Sequence, residues 1–203
     1  MSITFTVPLG AFKRIAEHAL RCVGTDRLMP VFTFVEFRAS GGVLTATATD
    51  RYTIARAREA VEDLPDVTFY LAAQAVRLIL ATFKAPVSYK SVLTFTVADT
   101  TTVSGLLVAN NSKASMTFDG LPGDWPKLDH LITPPAEPEP VLNPIFAAEF
   151  LRRLQPGRGP ASDPVTMTRK GLVHGFYSDR WAIVIMAQRM PDGGADVLGG
   201  WAA

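Results

Sequence analysis

Asp50, Asp124 and Asp179 are the side chains whose chemistry would matter most if the fold gathered them, because convergent carboxylates can hold two divalent cations around a phosphate. Each stands in a turn-prone stretch, Thr49-Asp50-Arg51, Gly123-Asp124 and Ser178-Asp179, where an aspartate more commonly braces the turn itself. A nuclease built from them is the weaker reading. His18, His130 and His174 share no metal-ligand spacing, no glycine-rich loop leads into a helix, and no nucleophile elbow occurs. The single cysteine, Cys22, excludes an intrachain disulfide and a cysteine-based zinc cage and reads as core filler. The expectation is a protein that is not an enzyme, with no metal and no cofactor.

The basic residues offer a different chemistry, the sequence-independent holding of phosphates. With 20 basic and 19 acidic residues the net charge is only +1, so binding to a polyanion requires positive charge segregated onto one face. Arginine, the better donor to phosphate oxygens, outnumbers lysine 14 to 6. An arginine bias is equally a mark of GC-rich coding.

The elements that carry these residues repeat along the chain. Ile3 to Val7 alternates as a strand, and from Leu9 the apolar residues Phe12, Ile15, Ala16, Ala19, Leu20 and Val23 form one helical stripe closed by Gly24. Strands follow over Val31 to Arg38, Val43 to Thr49 and Arg51 to Arg58, with Gly41-Gly42 as a hairpin signal. The second unit repeats the order. Its strand is Val67 to Leu71, its helix carries Val76, Ile79, Leu80 and Phe83, and its three strands are Val92 to Ala98, Thr102 to Val108 and Lys113 to Asp119. Beyond a Pro-rich connector, Pro134 to Pro140, a third copy runs through Val141-Leu142-Asn143, a helix with Phe146, Phe150, Leu151 and Leu154, and strands near Pro164 to Thr168, Leu172 to Phe176 and Arg180 to Gln188. A period of about 50 to 65 residues marks internal duplication.

Each unit is therefore a strand, a helix and three antiparallel strands, which predicts an α+β fold with helices on one face of antiparallel sheets. Residues 1–120 make one domain of two units, 121–140 the connector, 141–190 a single unit without an intrachain mate, and 191–203 a tail. The helices share a basic polar side. Lys13, Arg14, His18 and Arg21 lie on the first, Arg77 and Lys84 on the second, and Arg152 and Arg153 on the third, with Arg158 just after it. The acids on these helices are only Glu17 and Glu149. Apolar residues at 48% and charged residues at 19% describe a globular chain. No window approaches a membrane span, and no signal segment opens the chain, so a cytoplasmic protein is expected.

Three local sequences in this order resemble the bacterial and phage sliding clamp, the ring-forming beta subunit of the replicative DNA polymerase, in a shortened form. They are Ala48-Thr49-Asp50-Arg51-Tyr52-Thr53-Ile54-Ala55, Gly123-Asp124-Trp125-Pro126-Lys127-Leu128-Asp129-His130-Leu131-Ile132, and Val184-Ile185-Met186-Ala187-Gln188-Arg189-Met190. The resemblance spans about residues 1–190 and corresponds to the family's middle domain and half of its last. Arg51, where the family has Gly, Thr53, where it has Arg, and Ala187, where it has Pro, depart from the pattern.

The resemblance implies a processivity factor that encloses double-stranded DNA without reading its sequence and tethers a DNA polymerase. Lys13, Arg14, Arg21, Arg77, Lys84, Arg152 and Arg153 would face the DNA. A groove for clamp-binding peptides would form where Thr49, Arg51, Tyr52, Ile54, Pro126, Leu131, Met186, Ala187 and Arg189 meet. The odd third unit implies a homo-oligomer, either a four-chain ring or a dimer. The rival reading is a clamp-fold protein that binds peptides without encircling DNA. In the tail, Leu198 and Trp201 would either plug the groove or fray.

Overall fold

Alternation of apolar and polar residues sends Phe5 and Val7 of β1 (Ile3–Pro8) inward, and Pro8, with its φ fixed at −57°, turns the chain into helix α1 (Leu9–Ala19). The computed structural model describes residues 2–83, 91–99, 102–109, 112–121, 123–134, 166–170 and 173–186. The third unit's first strand and helix, most of the Pro-rich connector and the tail lie outside the described residues, as do Lys84, Arg152, Arg153, Ala187 and Arg189.

After α1 a short 3-10 turn, Leu20–Cys22, leads to β2 (Phe34–Ser40), β3 (Val43–Thr49) and β4 (Thr53–Ala60). The second unit follows as β5 (Val67–Ala72), α2 (Ala73–Thr82), β6 (Val92–Asp99), β7 (Thr102–Ala109) and β8 (Ser112–Asp119). The connector carries a single helical turn, α3 (Asp129–Ile132), and the third unit contributes β9 (Thr166–Lys170), β10 (Val173–Tyr177) and β11 (Trp181–Met186). No helix among the described residues is long and apolar enough to cross a membrane.

Two of the boundaries that differ from the sequence reading have a clear local reason. Val31 does not open a strand. Pro30 heads a 3-10 turn, Pro30–Thr33, closed by the Thr33 hydroxyl donating to the Pro30 carbonyl at 2.7 Å, and β2 begins at Phe34. Arg51 does not open β4, because the Asp50 carboxylate takes the amides of Tyr52 and Thr53 at 3.1 and 2.7 Å and holds them in a turn. Asp50 is thus a turn brace.

The first two units exchange their leading strands. β1 pairs with β6 of the second unit and β5 pairs with β2 of the first, giving a four-stranded sheet β1-β6-β7-β8 and the equivalent β5-β2-β3-β4. The exchange sets Phe5 opposite Phe95 and Phe69 opposite Phe37, two pairs related by the same local symmetry. Their rings meet at the centre, with Phe69 5.2 Å from Phe37, 5.3 Å from Phe95 and 5.8 Å from Phe5. Such ring contacts each add about 0.5–1.5 kcal/mol to what burial alone contributes. Phe12 and Ile15 of α1, with Val76 and Ile79 of α2, complete the core at 1% exposure or less.

The described strands of the third unit join the second sheet. β11 pairs antiparallel with β4, so the second sheet extends to seven strands, β5-β2-β3-β4-β11-β10-β9, with β5 and β9 outermost among the described residues. Both faces of the β4·β11 seam are covered. On the helix side Cys22 packs with Ala55, Ile183 and Ile185, and on the opposite side Ile54 packs with Ala182, Val184, Leu128 and Ile132 of the connector.

Candidate functional site

The seam between β4 and β11 brings together segments from all parts of the chain. Ile54 stands directly opposite Val184, and at the end of the ladder the Met186 amide donates to the Tyr52 carbonyl at 3.0 Å. Above this buried floor α3 packs against β11, with Leu128 and Ile132 pointing inward one helical turn apart. Leu131, on the other side of α3, remains exposed, together with Met186 at 46% and Tyr52 at 53%. Tyr52, Leu131 and Met186 thus leave apolar side chains exposed around this buried seam, the kind of side chain that can take up a peptide's apolar residues.

Arg51 borders this site in an unusual way. Its φ is +82°, left-handed backbone that a side chain disfavours, and its guanidinium lies over the rings of Tyr52 at 5.6 Å and Phe32 at 6.0 Å. The turn beneath is held by Thr49, which is buried. Its hydroxyl donates to the Thr53 carbonyl at 2.8 Å and accepts from the Arg51 amide at 3.1 Å. Thr49 and Ile54 therefore support the site from below, whereas Arg51, Tyr52, Leu131 and Met186 are available at the surface. Pro126 is half-buried on the connector beside Trp125, whose ring packs on Tyr70 at 5.5 Å. Ala187 and Arg189 lie outside the described residues.

A charge network fastens the connector to the sheet. Arg56 donates to Asp129 at 2.6 Å, and Arg38 reaches both Asp129 and the buried Glu36 at 3.4 Å. The Arg56 hydrogen bond holds the Asp129 carboxyl below the usual carboxylate range, while burial pushes that of Glu36 up against the opposing pull of Arg38. Sequence reading missed this network and missed Phe32, Val184, Leu128 and Ile132. The four-residue spacing of Leu128 and Ile132 was the available signal for a seated helical turn.

The basic helix residues divide. Arg77 is exposed and makes no ion pair with a described residue. Arg14 is exposed but engaged. Its Nε and Nη2 donate to both carboxylate oxygens of Glu59 on β4, at 2.6 and 3.1 Å, and this bond raises its pKa. Lys13 donates to the carbonyl of Phe83 at the end of α2, and Arg21 is half-buried, with its pKa lowered by desolvation. His18, read from the sequence as part of the polar side, is buried at 8% exposure and packs on Trp181 of the third unit. Its partner residue was invisible to helix periodicity because it arrives from β11.

No protein-family model and no curated protein matches this sequence. Solved structures do resemble it. The DNA polymerase III subunit beta from Pseudomonas aeruginosa superimposes with a TM-score of 0.72 at 10% identity over 92% of this chain and 66% of that one. The beta subunit from Thermotoga maritima gives 0.62 at 13% identity over 93% and 66%, and that from Borrelia burgdorferi, solved with a natural product, gives 0.67 at 11% over 93% and 63%. The chain thus spans just under two thirds of the length of these neighbours. At such identities the likeness is one of architecture, and what it establishes is that this chain has the α+β fold of the bacterial DNA polymerase III beta subunit, the sliding clamp.

Proposed function

We propose that the chain is a sliding-clamp-like processivity factor. Copies of it assemble to hold duplex DNA through helix faces that include Arg77, and the groove over the β4·β11 seam captures a short peptide from a DNA polymerase or another DNA-handling protein. The observation that carries this reading is the exposed trio Tyr52, Leu131 and Met186 above the buried floor of Ile54 and Val184. Its likeness to solved DNA polymerase sliding clamps supports it. The work is binding, with no bond made or broken, and Asp50 is committed to its turn. DNA contact in this scheme is with phosphates and falls with salt. The test is retention on duplex DNA circles. The protein stays on a closed circle and is lost when the circle is cut; equal loss from both would overturn encirclement.

One observation favours a second reading, a clamp-fold peptide-binding protein that does not encircle DNA. Both carboxylate oxygens of Glu59 take the Nε/Nη2 edge of Arg14, which offsets the charge of one arginine on the phosphate-binding face. Peptide binding without preference for circular over linear DNA would select it.

A further inference from the structure

Left-handed backbone at a residue with a side chain persists only where the surroundings hold it, and such positions gather at ligand clamps. Arg51, at φ +82°, is held on both sides. The Thr49 hydroxyl accepts its amide at 3.1 Å, and the next two amides, of Tyr52 and Thr53, are taken by the Asp50 carboxylate. The turn therefore sets the direction in which the Arg51 side chain leaves the backbone. At its end the guanidinium lies over two rings, Tyr52 at 5.6 Å and Phe32 at 6.0 Å, which restrain a side chain that otherwise samples many rotamers. The cation is thus fixed beside the exposed Tyr52, whose carbonyl bonds the amide of the exposed Met186.

A guanidinium laid on ring faces still has its N–H edges to satisfy. Arg51 is exposed and, among the described residues, makes no ion pair. The nearby carboxylates are engaged elsewhere. Asp50 is turned to the amides of Tyr52 and Thr53 and to the Thr53 hydroxyl, Asp26, on the turn that leads to Phe32, takes the Leu28 amide at 2.9 Å, and Asp129 holds Arg56. Arg14, Arg38 and Arg56 show the opposite arrangement, each closing on a carboxylate within the chain. The edge of Arg51 is a fork of donors next to an apolar surface, and the group that matches such a fork is a carboxylate.

We propose that Arg51 selects the partner peptide by binding a side-chain carboxylate, of Asp or Glu, next to the apolar residues that settle on Tyr52 and Met186. This role rests on the reading of the surface as a peptide site and adds to it the charge that the peptide carries. Because the two rings already hold the guanidinium, little side-chain freedom is lost when the carboxylate arrives. At an exposed position the pair governs the choice among peptides.

The test uses the full chain and a polymerase-derived clamp-binding peptide with both ends blocked, in two forms that differ at one position beside its apolar side chains, Asp in one and Asn in the other. Blocking the ends removes the terminal carboxylate as a ligand. Calorimetry should give the Asp form about tenfold tighter binding to the wild type, the scale of a close charge pair across an interface. Arg51→Gly, which removes the side chain and relieves the left-handed backbone, should bring the Asp form down to the Asn form and leave the Asn form unchanged. Arg51→Lys should keep part of the preference, since it retains the charge without the fork. Equal affinities for the two forms, both lost on Tyr52→Ala with Met186→Ala, would overturn the proposal and leave the peptide surface standing. Binding of neither form by the wild type would overturn both. A lower salt slope on duplex DNA in Arg51→Gly, with the peptide preference unchanged, would assign the guanidinium to phosphates and overturn the proposal as well.

Discussion

The imidazole of His18 on α1 and the indole of Trp181 on β11 lie with ring centroids 5.2 Å apart, so the first helix of the chain and its last described strand share one buried contact. With Cys22, Ala55, Ile183 and Ile185 alongside, this contact closes the helix side of the seam. The other side is closed by the connector. Anything that loosens His18 therefore acts on the junction from beneath.

The first prediction is acid sensitivity of that junction. Burial, with Arg21 adding to it, lowers the His18 pKa from 6.5 to about 4, so the unfolded chain binds this proton at a higher pH than the folded chain does. The neutral histidine's contribution is present above pH 6.5 and is lost as pH falls toward 4, at a limit on the order of 3 kcal/mol for a shift of that size. Urea unfolding at steps across this window should show stability falling with pH. His18→Gln should flatten that fall, and an unchanged slope in the variant would contradict the assignment.

A second prediction concerns Arg51. Left-handed backbone costs a residue with a side chain about 1–2 kcal/mol, and the cation–ring contacts with Phe32 and Tyr52 return about 0.5–1 kcal/mol at an exposed site. Arg51→Ala keeps the strain and loses the contacts, whereas Arg51→Gly loses both. The glycine variant should be more stable than the alanine variant by about 1 kcal/mol in chemical denaturation. Equal stabilities would mean that the φ of +82° carries no cost.

A third prediction separates the helix arginines. Removing a phosphate contact lowers the slope of log affinity against log salt by about 1. Arg77→Ala should show that drop on duplex DNA. Arg14→Ala should not, because Glu59 already holds its guanidinium. A drop for Arg14 and none for Arg77 would reverse the proposed face.

Much of the fold could be read directly. The alternation at Phe5 and Val7, the stripe from Phe12 to Ala19 and their echo at Phe69, Leu71, Val76 and Ile79 encode strand and helix faces locally, and each of these residues is buried. The exchange of β1 and β5 between units was not legible, since pairing partners far apart in sequence leave no periodic trace. For the same reason His18 looked solvent-facing until Trp181 covered it, and Arg14 looked available until Glu59 arrived from β4. The groove residues were named from local motifs; of these, Ile54 lies in the β4·β11 ladder, Tyr52 and Met186 at its end, and Leu131 on α3. Their division into floor and surface depended on register, which puts Ile54 opposite Val184 and leaves Tyr52 and Met186 exposed at the ladder's end.

Tyr52→Ala combined with Met186→Ala removes two exposed side chains without touching the buried floor, so the fold and assembly should persist. Calorimetric titration with a polymerase-derived clamp-binding peptide should show wild-type binding and a loss of about 30-fold or more in the double variant, the scale of an interface hot spot. Peptide affinity unchanged between the wild type and a folded double variant would contradict the groove assignment.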